Sequence, residues 1–266
     1  MNNNFFSGSR FWAWFKYDLR QMWQNHFKAA LGIGLAGLIV YVIFVSWNLI
    51  FEGTWQGPGL GARIATFMLA GTILELYQTR TYGYLTDKRK GSSFLMLPAS
   101  TFEKWLSMIL MTLIVIPVIF LAVSVSVDTL VCLLDPTVGD SMLKVLSDNF
   151  NSISESLAEI NGEIQEDFGF GLGIVTGPAI AAFCFNFLFF LLCGVCFKRY
   201  KILWAFVIIF AGSTLLSILG VTLDWNVNTD TVDTLRSFLG AATWIVAGIA
   251  ACFGAGIFLR LKTLQH

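Results

Sequence analysis

Six long apolar stretches, separated by polar connectors, organise this chain of 266 residues. Five of them, 29–51, 105–127, 170–197, 202–223 and 237–259, carry no Asp, Glu, Lys or Arg, and each is roughly 20 residues or more, enough for a helix to cross about 30 Å of hydrocarbon. The remaining one, 61–78, is weaker. Its charge-free core covers only 64–74, between Arg63, which can snorkel outward, and Glu75, which can sit at the boundary or face the protein. Pro117 in the third stretch and Gly177-Pro178 early in the fourth predict kinks or locally broken backbone, either plain bending or the lining of a pathway. Small residues in the first stretch (Gly32, Gly34, Gly37) and the sixth (Gly248, Ala251, Gly254, Ala255) permit close helix approach, within one subunit or across a dimer seam. Asn186, Ser213, Thr214 and Ser217 are candidates for hydrogen bonds between helices.

Two further segments are amphipathic rather than uniformly apolar. Over 9–27, Trp12, Phe15, Leu19, Met22 and Trp23 recur at helical spacing, opposite Arg10, Tyr17, Gln21, Gln24 and Asn25, with Trp14 off the stripe. That pattern predicts an interfacial helix, aromatic rings at headgroup depth and basic side chains toward anionic lipid. Over 135–169, Leu143, Leu146, Phe150, Ile153, Leu157, Ile160 and Ile164 repeat with alternating steps of three and four. This is a heptad seam of about three heptads, roughly 30 Å of helix. Such a seam needs cover: a symmetry mate, a loop of the same subunit, a partner, the chain's own membrane helices or the outer leaflet.

Charge gives the stretches an orientation. Arg10, Lys16, Arg20 and Lys28 precede the first; Arg80, Lys88, Arg89, Lys90 and Lys104 lie between the second and third; Lys198, Arg199 and Lys201 between the fourth and fifth; Arg260 and Lys262 follow the sixth. The alternate connectors hold Arg63, Lys144 and Arg236 but most of the acids. Basic connectors stay cytoplasmic during insertion, so both termini are expected inside, in a bacterial inner membrane. The fold class expected is all-α: a polytopic membrane protein with six transmembrane helices, an N-terminal interfacial helix and an extracytoplasmic amphipathic helix, forming a single membrane domain over 1–266.

Composition agrees. The chain is 56% apolar and 13% charged, against about 25% charged residues in an ordinary soluble domain. Its zero formal net charge sums a basic face and an acidic one, and gives no reason to expect a nucleic-acid partner. The residues before 29 do not read as a cleaved signal. The five cysteines lie in or beside apolar stretches and imply no disulfide framework, and Cys193-Gly-Val-Cys196 reads as packing, not a metal or redox site. No catalytic, cofactor-binding or metal-ligating constellation appears within the stretches, and no filter-like segment suggests a channel.

The connector 79–104 carries the functional reading. It joins the basic run Lys88, Arg89 and Lys90 to the apolar run Phe94, Leu95, Met96 and Leu97, then Pro98 and a helix start at which Ser100 and Glu103, followed by Lys104, fit a capping box. A basic loop of this kind can also be simple topology and lipid contact. Leu95 to Ser100, followed by Phe102, Glu103, Lys104 and Trp105, resembles the leucine, proline, small residue, serine segment of permease subunits of type 2 superfamily ABC exporters, in the Leu-Pro-Ala-Ser then Glu-Lys form of Bacteroidetes-like members. The resemblance also covers the six-stretch layout and the N-terminal amphipathic segment. It implies a coupling helix within Lys88 to Lys104 that docks in a cleft of an ABC-type ATPase subunit, with the N-terminal helix relaying its motion. The chain departs from the family in placing its large outer insertion between the third and fourth stretches, while 224–236 is short.

The resemblance further implies a homodimer or a pair with a related permease, and ATP with Mg in the partner subunit only. Gly-Lys never occurs in this chain, so it has no P-loop and needs no cofactor of its own on this reading. The competing expectation is a non-transporting membrane receptor, scaffold or assembly protein that acts through the acidic heptad helix. An intramembrane enzyme is not expected.

Overall fold

The computed structural model describes residues 6–86, 99–145, 147–148, 168–222 and 232–265. Among these, regular structure is helical, without a strand. In chain order the helices are α1 (Gly8–Asn25), α2 (Phe27–Gly34), α3 (Ala36–Phe51), α4 (Leu60–Thr81), α5 (Thr101–Leu110), α6 (Ile116–Leu134), α7 (Phe168–Cys196), α8 (Lys201–Thr222) and α9 (Val232–Gln265). Short 3-10 turns occupy Gly83–Thr86 and Pro136–Val138.

Among the described residues four helices are long and apolar enough to cross a membrane: Leu60–Thr86, Thr101–Leu134, Gly177–Cys196 and Gly240–Leu264. A fifth crossing results if α2 and α3, bent by 41°, form one span, and Lys201–Thr214 is a shorter apolar helix. The apolar stretch 29–51 is therefore not one straight helix. The bend falls at Leu35, where Gly34 lies so close to another helix that a Cβ would meet Val123 Cγ1 at 2.8 Å. A glycine makes this approach possible, and close packing is what holds helices together in lipid.

The two prolines behave differently. Ahead of Pro117 the helix widens into a π-helical segment, Met111–Val115, that joins α5 to α6. Proline has no N–H to give and its ring crowds the carbonyl four residues back, and a π segment accommodates both. Across Pro178 the chain stays helical, and α7 runs from Phe168 to Cys196.

The chain forms two compact units: Met1–Leu19, Glu75–Leu113 and Phe170–His266 in one, Arg20–Leu74 and Ile114–Gly169 in the other. In the first, Phe189, Phe190, Cys193 and Ala205 form a buried cluster with Leu76, Phe197 and Phe253 against it, so the Cys-x-x-Cys pair contributes Cys193 to an aromatic core. α7 meets α4 backbone to backbone at Gly194, whose added Cβ would stand 2.6 Å from the Thr79 carbonyl oxygen. In the second unit, Val127, Val131 and Val138 cluster with Leu35, Tyr41, Val123 and Cys132.

Polar residues tie the second unit together. Arg63 does not snorkel: it is 7% exposed, and its Nη1 donates to Asp128 Oδ1 at 2.8 Å and to Cys132 Sγ at 2.9 Å, while Nη2 reaches the Asp140 carbonyl at 2.7 Å. In an apolar surround an arginine is held by a carboxylate and backbone oxygens in preference to remaining unpaired. Just beyond α6, Asp135 accepts from Tyr41 Oη, Trp55 Nε1 and both the N–H and hydroxyl of Thr137, at 2.7–3.0 Å. These donors, Thr137 first among them, hold its carboxyl down at about 2.

Candidate functional site at the start of α5

Glu103 is the hinge of the site. Ser100, with extended φ and ψ of −67° and 156°, caps α5; its Oγ accepts from Glu103 N at 3.2 Å and its own N–H donates to Glu103 Oε2 at 2.9 Å. The expected capping box therefore forms. Glu103 has further partners, because Arg10 on α1 donates from Nε to Oε2 and from Nη2 to Oε1, each at 2.8 Å, and Ser7 N donates to Oε1 at 2.9 Å. One fully buried carboxylate thus satisfies the N–H groups at the starts of both α1 and α5. Charge-assisted, forked bonds of this kind are about twice as strong as neutral ones.

A second contact lies two turns along α1. Asp18 Oδ2 accepts from Tyr82 Oη at 2.8 Å and Ser107 Oγ at 2.6 Å, so α1 is bonded to the end of α4 and to α5 through one buried side chain. Burial pushes the Asp18 carboxyl up to about 6, against the two hydrogen bonds that pull it down. Between these contacts Lys104, 1% exposed, places its ammonium 5.6 Å from the Trp14 ring centroid. Trp105, one residue on, donates from Nε1 to the Gly254 carbonyl of α9 at 2.8 Å and packs edge-on to Phe258.

These contacts reveal the side of α1 that sequence periodicity did not find. Trp14 and Asp18 are buried, at 6% and 1%, whereas Trp12 and Trp23 of the aromatic stripe are 54% and 57% exposed and Leu19 is exposed as well. Phe15 and Met22 are half-buried. α1 therefore carries two faces: a narrow one, Arg10, Trp14 and Asp18, held against the chain, and an aromatic one that is largely exposed. The i, i+4, i+8 spacing of those three residues was the available signal, masked by their mixed polarity.

Of the residues singled out in the connector 79–104, Ser100, Glu103 and Lys104 are brought together at this site. Lys88, Arg89, Lys90, Phe94, Leu95, Met96, Leu97 and Pro98 lie outside the described residues. The same holds for Leu146, Phe150, Ile153, Leu157, Ile160 and Ile164 of the heptad seam, and Leu143 is 51% exposed in a short helical turn. Four donor groups occupy the Glu103 carboxylate, so its role in this geometry is to tie the start of α1 to the start of α5. No family profile, no curated protein and no solved structure matches the chain.

Proposed function

We propose that this chain is the membrane-spanning permease subunit of an ATP-driven exporter, with six spans, both termini cytoplasmic, and a separate ATPase docked on 88–104. The observation that carries the reading is the Arg10–Glu103 ion pair, at 2.8 Å, which fastens α1 to the helix that emerges from the docking connector. A push on that connector would reach α1 through Glu103 and, two turns later, through Asp18. ATP binding in the partner would bias a bistable inward and outward arrangement, by no more than the nucleotide's differential affinity for the two states. Two such subunits, alike or related, would enclose the pathway.

Affinity purification of the full chain from native membranes tests this. Recovery of an ABC-type ATPase is expected, and polar replacement of Phe94, Leu95, Met96 and Leu97 abolishes it. The variant Glu103→Gln keeps the ATPase bound but uncouples its hydrolysis from transport. Recovery of no ATPase by the intact chain overturns the reading.

A receptor, scaffold or assembly role draws on a different observation, the 51% exposure of Leu143 at the start of the heptad seam. It predicts that deletion of 143–164 abolishes function while the polar connector variant leaves it intact.

A further inference from the structure

Beside the site just described, the end of α4 and the short connection from α7 to α8 border a groove of about 630 Å³. Its polar end is formed by Arg80, Lys198, Tyr200 and Lys201, and its apolar end by Leu203 and Phe206 of α8. Among the described residues no carboxylate lines it, and neither Arg80 nor Lys198, both exposed, forms a salt bridge. Lys201 is fixed in place: its Nζ donates to the Gly83 carbonyl, to Thr86 Oγ1 at 2.9 Å and to the Gly194 carbonyl at 2.9 Å. All three ammonium protons are engaged, so Lys201 supplies field while Arg80 and Lys198 are left to touch a ligand. Tyr200 sits in the left-handed region with φ 52°, a strained state for a residue with a Cβ, and is 75% exposed.

We propose that this groove binds an anionic phospholipid, its phosphate held by Arg80 and Lys198 beside Lys201 and its acyl chain lying along Leu203 and Phe206. Charge complementarity selects the head: a guanidinium can grip two phosphate oxygens at once, an ammonium adds a point charge, and the fixed lysine adds attraction without competing for the same oxygens. The tail follows from Leu203 and Phe206, which are 57% and 53% exposed within two turns of the cationic end. A soluble phosphate would use only the first half of this surface. Basic pockets at the ends of membrane helices are where anionic headgroups are recognised. The proposal needs the chain to cross a bilayer, and does not need it to transport, so failure to recover an ATPase leaves it standing.

The test is lipid retention by the detergent-solubilised full chain, read by native mass spectrometry with phosphatidylglycerol and phosphatidylcholine as probes. Phosphatidylglycerol is expected to be retained preferentially, and Arg80→Gln with Lys198→Gln to weaken it about thirtyfold, the effect of two surface cations. A control variant, Lys144→Gln on the acidic connector, leaves retention unchanged, and inorganic phosphate does not displace the lipid. Equal retention of both lipids by the unaltered chain, wild-type affinity in the Arg80 and Lys198 variant, or displacement by inorganic phosphate each overturns the proposal. Where that variant does not fold, a photoactivatable phosphatidylglycerol on the unaltered chain decides: labels within 198–206 support the site, and labels confined elsewhere overturn it.

Discussion

A buried carboxylate with only hydroxyl partners makes Asp18 sensitive to pH. Its folded-state value of about 6 lies above the ordinary 3.8, so between these values the folded chain binds more protons than the unfolded one. Stability contributed by this group is present below about pH 4 and is lost as pH rises through about 6. Asp18→Asn keeps an acceptor for Tyr82 and Ser107 but removes the charge. Thermal melts of the variant in detergent should lose most of their slope between pH 4 and 6.5, with a gain on the order of 2 kcal/mol at pH 7.5. Gln78 on α4 is a second buried polar residue: it is fully buried, and neither atom of its amide meets a partner among the described residues. Gln78→Leu should raise the melting temperature, by the equivalent of about 1–3 kcal/mol, because an unmade pair of buried hydrogen bonds is removed. A lowered melting temperature would show that the amide is bonded after all.

At the scale of elements, ion pairs and glycines decide which helices meet. Arg63 and Asp128 are 7% and 10% exposed at 2.8 Å, and removal of one leaves the other charged and buried. Asp128→Ala should cost about 3–5 kcal/mol, whereas Arg63→Met with Asp128→Leu should cost much less than the two single changes added together. A double-mutant cycle on melting temperatures measures this. Gly194→Ala tests the other device, since a methyl group there meets the Thr79 backbone at 2.6 Å and a backbone cannot turn aside. We expect a loss of about 1–3 kcal/mol and weaker retention of the α7 to α4 contact, read by crosslinking between cysteines placed on the two helices.

At the scale of the whole molecule, the alternation of basic and acidic connectors makes a prediction that no single contact can. A cysteine placed at Ser92, in the basic connector between the second and third apolar stretches, should resist membrane-impermeant labels in intact cells and react after permeabilisation. Labelling from outside would reverse every connector and overturn the docking proposed for this one. Much of the helical layout was legible in the chain itself. The boundaries of α4, α7 and α8 fall within three residues of the apolar stretches that predict them, because lipid demands long uninterrupted runs. α5 and α6, by contrast, run with the π segment from Thr101 to Leu134, well past the stretch 105–127, since polar residues continue a helix that protein contacts support. At the candidate site, only the capping box at Ser100 and Glu103 was readable, being local in sequence. Its partner Arg10, 93 residues away, was not.

Helix content, membrane character and the cap of α5 were thus determined by sequence alone, because each depends on neighbours within a few residues or on the summed apolarity of a run. Tertiary structure alone decided that Arg63 pairs with Asp128 where a free arginine would have snorkelled, that α1 turns Trp14 and Asp18 inward, that the first apolar stretch bends at Leu35, and that Glu103 caps two helices. Periodicity ranks residues by polarity, whereas a polar side chain in an apolar setting is placed by its partner, and the partner is distant in the chain.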